Sequence, residues 1–123
     1  MAPGRVLVVE DDAGLRDTLA EILVDEGHDV RVAPDGAAAL ETLDGWNPEI
    51  IVLDLMMPRM DGFAFRARQR DASGDHPPKL LLVSAARDVE VAAEELEADG
   101  WLVKPFGLKD VVSSVRGLLS DGS

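Results

Sequence analysis

The chain has 123 residues, enough for one domain with a full hydrophobic core and no covalent staples. It contains no Cys, which excludes a disulfide framework and a thiolate metal site, and its formal net charge of −12, from 24 Asp plus Glu against 12 Lys plus Arg, opposes direct binding of DNA. No apolar stretch approaches the roughly 20 residues of a membrane helix, and residues 1–5 lack a signal-peptide core, so a cytoplasmic protein without membrane contact is expected.

The predicted elements alternate along the chain. Val6 to Val9 is an apolar run, followed by Asp12 as N-cap of a helix with Leu19, Ile22 and Leu23 on one face and Gly27 at its end. Val30 and Val32 mark a second strand, and Asp35 caps a helix through Ala37, Leu40 and Leu43 that stops near Gly45. Ile50 to Leu53 is an uninterrupted apolar run of the kind found in a strand covered on both faces, and it ends on Asp54. Pro58 prevents the strand from continuing, and a helix is predicted from about Phe63 to Asp71. The stretch 72–78 is the loosest in the chain. Leu80 to Val83 reads as a fourth strand, 88–98 as a helix and 101–103 as a fifth strand; Leu108, Val111, Val112, Val115 and Leu119 are spaced for one face of a last helix. Strands that each precede a helix imply right-handed crossovers and a doubly wound parallel sheet, an α/β fold with helices on both faces.

In such a sheet the C-terminal strand ends share one edge, where ligands bind. Here that edge receives Glu10, Asp11 and Asp12 after the first strand, Asp54 after the third, Ser84 after the fourth and Lys104 with Pro105 after the fifth. Carboxylates a few ångströms apart repel by several kcal/mol at an effective dielectric of about 20, so they protonate or recruit a cation. An all-oxygen set without Cys or His suits a hard ion such as Mg²⁺. A cation, a hydroxyl and a Lys around one carboxylate form a site for a phosphoryl group, with Asp54 as the in-line nucleophile and an acyl phosphate as the product.

The motifs Val8-Val9-Glu10-Asp11-Asp12, Asp54-Leu55-Met56-Met57-Pro58 with Met60-Asp61-Gly62, Ser84-Ala85 and Lys104-Pro105-Phe106 together resemble the receiver domain of two-component response regulators, over essentially the whole chain. The resemblance implies a flavodoxin-like (βα)5 three-layer fold with strand order 2-1-3-4-5, and a single receiver domain over 1–123 with its core at about 5–119 and no output domain. It implies that Asp54 is the phosphoacceptor. Asp11 and Asp54 would ligate Mg²⁺ (or Mn²⁺) together with the Met56 backbone carbonyl, and Glu10 would act through water. Ser84 and Lys104 would hold the phosphoryl oxygens, the Lys104-Pro105 bond would be cis, and Ser84 with Trp101 would form the switch. The implied partners are a histidine kinase or histidine phosphotransfer protein, docking near Gly14, Leu15, Thr18, Pro105 and Phe106, and a downstream protein target or a missing output domain. The implied role is a signalling phosphoswitch of a phosphorelay, catalysing only its own phosphorylation and dephosphorylation and altering the surface of the 88–98 helix, the fifth strand and the last helix.

Several residues depart from the family pattern. Trp101 stands three residues before Lys104, where Tyr or Phe is usual, and Glu97 occupies a position that usually holds Gly. Arg66 and Gln69 replace common apolar residues, which suggests loose packing of the 63–71 helix. Arg59, Arg66, Arg68 and Arg70 read as a solvated helix face or, alternatively, as a docking patch for an acidic partner. By the same resemblance, Met56 and Ala86 would flank the path of an attacking water, and since neither side chain can orient it, slow self-dephosphorylation is expected. Asp12 is read as a cap rather than a ligand, and His28 and His76 as solvent-facing loop residues. Two alternatives remain: an Asp-nucleophile phosphatase, which generally wants a second acid where this chain has Met56, and a non-phosphorylated pseudo-receiver scaffold. A nucleotide- or flavin-binding domain is opposed by the acids that stand in place of a Gly-rich phosphate loop.

Overall fold

The computed structural model describes residues 4–54, 65–66, 78–85 and 89–121, with side chains through Leu119. Five strands, β1 (Arg5–Val9), β2 (Asp29–Ala33), β3 (Ile50–Asp54), β4 (Lys79–Ser84) and β5 (Gly100–Val103), form one parallel sheet in the order β2-β1-β3-β4-β5. Among the described residues the helices are α1 (Ala13–Asp25), α2 (Gly36–Leu43), α3 (Val89–Leu96) and α4 (Leu108–Asp121). Phe65 and Arg66 are also helical and fall within the helix expected over 63–71. The loop expected after Asp54, with Met56, Met57, Pro58, Arg59, Met60, Asp61 and Gly62, the other positions of the expected helix, with Arg68, Gln69 and Arg70, and His76, Ala86 and Asp88 lie outside the described residues.

The three central strands carry uninterrupted apolar runs, Val6 to Val9, Ile50 to Leu53 and Leu80 to Val83, because both of their faces are covered. Leu7, Val9, Ile51, Leu53, Leu80 and Leu82 join one core with Phe65, Ala39 and the α3 residues Val89, Ala93 and Leu96. On the other side of the sheet, Val6, Val8, Ile50, Val52, Leu81 and Val83 pack with Leu19 and Leu23 of α1 and Val111 and Val115 of α4. Neighbouring residues of one strand thus enter opposite cores, as the period of two requires. At the edges of the sheet the apolar pattern is covered less well. Val32 on β2 is 40% exposed, Trp101 44% and Val103 49% on β5.

Helix boundaries follow from side chains that satisfy the free backbone groups at each end. Asp12 Oδ1 accepts from the Leu15 amide at 3.0 Å, and Asp35 Oδ1 from the Ala38 amide at 2.8 Å. Removing the first cap by Asp12→Ala is expected to cost about 1 kcal/mol in urea unfolding. A cost near zero would show that α1 does not depend on this cap. Gly27 (φ 94°) and Gly45 (φ 85°) take the left-handed turns after α1 and α2.

On α2, capped by Asp35 as expected, Gly36 and Ala39 are buried, Leu40 and Leu43 partly buried and Ala37 exposed. Two sequence expectations are corrected at the level of packing. Leu108 is 38% exposed; it is the first residue of α4, and the apolar face begins one turn later at Val111. His28 is not simply solvent-facing: it is partly buried, and its Nδ1 accepts from the Gly4 amide at 3.1 Å.

Candidate phosphoryl and metal site

The strand pairing carries the chemistry-bearing residues to one edge. Asp54 is the last residue of β3 and pairs with Val83, Ser84 is the last of β4 and pairs with Val103, and Glu10 and Lys104 directly follow β1 and β5. Both of the latter prolong the ladder by one step, since the Glu10 amide donates to the Ala33 carbonyl at 3.1 Å and the Lys104 amide to the Ser84 carbonyl at 2.8 Å. The Lys104-Pro105 peptide is cis, as expected.

One carboxylate oxygen each from Glu10, Asp11 and Asp54 lies within 4.8 Å of the other two. Lys104 Nζ sits between two of these groups, 2.8 Å from Glu10 Oε1 and 3.3 Å from Asp54 Oδ2. Glu10 and Asp54 are buried, Asp11 is exposed at the mouth, and Ser84 has no exposed surface. Glu10 Oε2 accepts from the Asp12 amide at 3.2 Å, while the buried Oε1 lacks any aligned hydrogen bond among the described residues and meets Lys104 only as an ion pair. Arg16 Nη1 donates to the Glu10 carbonyl at 3.0 Å and fixes the turn between β1 and α1. The sequence analysis did not single out Arg16; a lone cation one turn into a helix that begins beside the acid cluster was the available signal.

The electrostatics follow from burial. Loss of water around Glu10 is the largest influence and lifts its carboxyl to about 7; Lys104 and the Asp12 amide pull it down, and Asp54 pushes it up again. For Asp11, partial burial acts upward, but hydrogen bonds shared with Glu10 and Asp54 and the charge of Lys104 bring it below the ordinary carboxylate value. Burial of Lys104 opposes its charge, yet Glu10 and Asp54 together hold it above the usual ammonium value. A proton shared between Glu10 and Asp11 therefore resides on Glu10, leaving Asp11 anionic at the opening. An exclusively oxygen donor set, an anionic carboxylate at the mouth and a buried oxygen without an aligned donor fit a hard divalent cation.

Trp101 stands apart from this cluster. It lies on the outer edge strand, paired in register with Leu82. A cleft lined by Leu81, Asp99, Gly100, Trp101, Ser114, Gly117 and Leu118 lies at the start of β5, and none of Glu10, Asp11, Asp54 and Lys104 lines it. Met56, the remaining expected metal ligand, is outside the described residues.

Arg66 corrects two expectations. It belongs to neither a solvated face nor an open docking patch, being only 6% exposed, and it is not loosely packed: Nε donates to the Leu96 carbonyl at 3.2 Å and Nη2 to the Glu97 carbonyl at 3.4 Å. Its acceptors on the Leu96 and Glu97 backbone lie about 30 residues away in the chain, and backbone acceptors leave no mark in a sequence.

Residues 6–116 match the response regulator receiver domain family. Among similar proteins is the response regulator MprA of Mycobacterium sp. (strain KMS), 41% identical over 120 residues, which cover 95% of this chain and 51% of the relative. The chain thus spans about half the length of the curated relatives it matches. Among solved structures, the receiver domain of the Francisella response regulator 1452 superposes with a TM-score of 0.86 at 26% identity, covering 98% of this chain and 99% of that one. The response regulator TrrA of Thermotoga maritima, solved in complex with Mg²⁺-BeF, gives a TM-score of 0.80 at 29% identity, covering 93% and 97%. With five parallel strands in the order 2-1-3-4-5, a flavodoxin-like fold and a family match over nearly its full length, the chain belongs to the response regulator receiver domain family.

Proposed function

We propose that this receiver is a phosphoswitch in which Asp54 accepts a phosphoryl group from a phosphohistidine of a histidine kinase or histidine phosphotransfer protein. In that reaction an Asp54 carboxylate oxygen forms the bond to phosphorus as the phosphorus–nitrogen bond breaks, and the imidazole departs with the electron pair. Lys104, already 3.3 Å from Asp54, pairs with the phosphoryl oxygens, and the Ser84 hydroxyl donates a hydrogen bond to them. Asp11 and Asp54 would hold Mg²⁺ (or Mn²⁺), with Glu10 acting through water and the Met56 carbonyl completing the protein ligands. The bound ion would supply positive charge against the developing negative charge of the transferring group. Met56 and Ala86 offer no hydrogen bond to a hydrolytic water, so the acyl phosphate is long-lived.

Residues 1–123 act as one receiver unit with its core at 5–119, in the cytoplasm, and the readout passes through α3, β5 with Trp101, and α4 to a downstream protein or an output domain. Among the described residues no helix is long and apolar enough to cross a membrane. The observation that carries the proposal is the convergence of Glu10, Asp11, Asp54 and Lys104 at the C-terminal edge of a parallel sheet. Incubation with acetyl phosphate, followed by intact mass, tests it. One phosphoryl group should be gained in the presence of Mg²⁺ and none with chelator or in Asp54→Asn. Failure of the unaltered protein to gain mass with Mg²⁺ would leave the scaffold reading in its place.

A further inference from the structure

Two helices end in the same hydrogen-bond pattern with different residues at its decisive position. After α1, the Gly27 amide donates to the Val24 carbonyl at 2.9 Å and the His28 amide to the Leu23 carbonyl at 3.2 Å. After α3, the Glu97 amide donates to the Glu94 carbonyl at 3.2 Å and the Ala98 amide to the Ala93 carbonyl at 2.8 Å. This paired closure requires a left-handed residue, which Gly27 supplies at φ 94° without steric cost. Glu97 occupies the equivalent place at φ 56°, where a side chain crowds the neighbouring backbone.

What distinguishes the second turn is Arg66. Its guanidinium donates to the carbonyls of Leu96 and Glu97, the end of α3 where helical acceptors run out of partners and the helix dipole is negative. A planar fork suits two adjacent carbonyls, and the charge strengthens both bonds. Phe65, beside it, is fully buried in the same core as Val89, Ala93 and Leu96, so the segment that carries the fork is itself anchored.

The turn in turn sets the entry to β5. Asp99 Oδ2 accepts from the Leu80 amide at 2.8 Å, and the Asp99 amide donates to the Leu80 carbonyl at the same distance. From that clamp follow the pairs Gly100 with Leu81 and Trp101 with Leu82, and the strand then leads directly to Lys104.

We propose that Arg66 is a positioning residue that holds the α3–β5 turn in its left-handed form and makes the entry to β5 depend on the segment containing residues 65–66. The link belongs to the resting fold and needs no phosphoryl group. It ties a segment that follows Asp54 in the chain to the strand bearing Trp101 by a route separate from the acid cluster.

Residue-resolved amide hydrogen exchange on the full chain tests the link with Arg66→Met, which keeps an apolar stem and removes the donors. Exchange at the Ala98 and Asp99 amides should accelerate at least tenfold more than at Val8 and Leu53. Adding Glu97→Gly should restore most of that protection, because glycine holds the turn without the guanidinium, and Glu97→Gly alone should not loosen it. If Arg66→Met does not fold, Arg66→Lys, which keeps the charge and loses the fork, is read in the same way. Uniform acceleration across all four amides would reduce Arg66 to general support of the fold and overturn the proposal. Unchanged exchange at Ala98 and Asp99, or no rescue by Glu97→Gly, would overturn it as well.

Discussion

Lys104→Met is expected to destabilise the metal-free protein by about 2–3 kcal/mol at pH 8, with a much smaller loss near pH 5. The substitution preserves the apolar stem and removes the one cation within 3.3 Å of both Glu10 and Asp54 among the described residues. At pH 8 Glu10 and Asp54 are then left close together without the ammonium between them, a cost reduced here because the Lys104 side chain retains 24% exposure and water reaches the site. Near pH 5 Glu10 already carries its proton in the folded state, so it loses much less with the ammonium. Urea unfolding of both proteins in chelator at the two pH values measures the difference. Mg²⁺ should raise the midpoint of Lys104→Met more than that of the parent, because the ion meets carboxylates that no ammonium has neutralised. Equal shifts would mean that cation and Lys104 do not share one cluster.

The legibility of this chain varied with the range of the forces involved. The fold was readable because a parallel sheet under two helical layers demands uninterrupted apolar strands, and the runs ending at Val9, Leu53 and Val83 meet that demand. Caps were readable because Asp12 and Asp35 act on amides three residues ahead. The meeting of Glu10, Asp11, Asp54 and Lys104 was readable for a topological reason, since parallel strands bring all their ends to one edge. Harder positions depend on what covers a surface. Val32 and Trp101 fit their strands by pattern, yet both lie on edge strands and stay exposed. Arg66 was misplaced because a segment with four Arg between 59 and 70 suggests solvent, while its actual acceptors are carbonyls fixed by the end of another helix. Glu97 in a glycine position was the only local hint that something unusual supports that turn.

Glu10→Gln should do the opposite of Lys104→Met and stabilise the metal-free protein at pH 8, by about 2 kcal/mol. Burial lifts the Glu10 carboxyl from 4.5 in the unfolded chain to about 7 in the fold, so the native state holds this proton more tightly. Its contribution to stability is fully present below pH 4.5 and is lost as the pH rises through 7, where the folded protein must carry a buried carboxylate. Within the cluster, Asp11 titrates below this window and Lys104 above it, so between pH 4.5 and 7 the cluster's slope belongs to Glu10, and the difference from Glu10→Gln isolates it. Gln keeps an acceptor for the Asp12 amide and carries no charge at any pH, which flattens that slope; its advantage over the parent should therefore vanish near pH 4.5. Thermal midpoints of both proteins in chelator across this range provide the measurement. An ordinary salt bridge predicts that losing either partner destabilises at pH 8. Opposite signs for Glu10→Gln and Lys104→Met identify Glu10 instead as a carboxylate held at a cost, with Lys104 offsetting only part of it, and equal losses in the two variants would refute that view. The same cost is what a divalent cation would relieve on entering beside Asp11 and Asp54, so in the parent protein the stabilisation by Mg²⁺ should grow between pH 5.5 and 8 and in Glu10→Gln it should stay nearly flat.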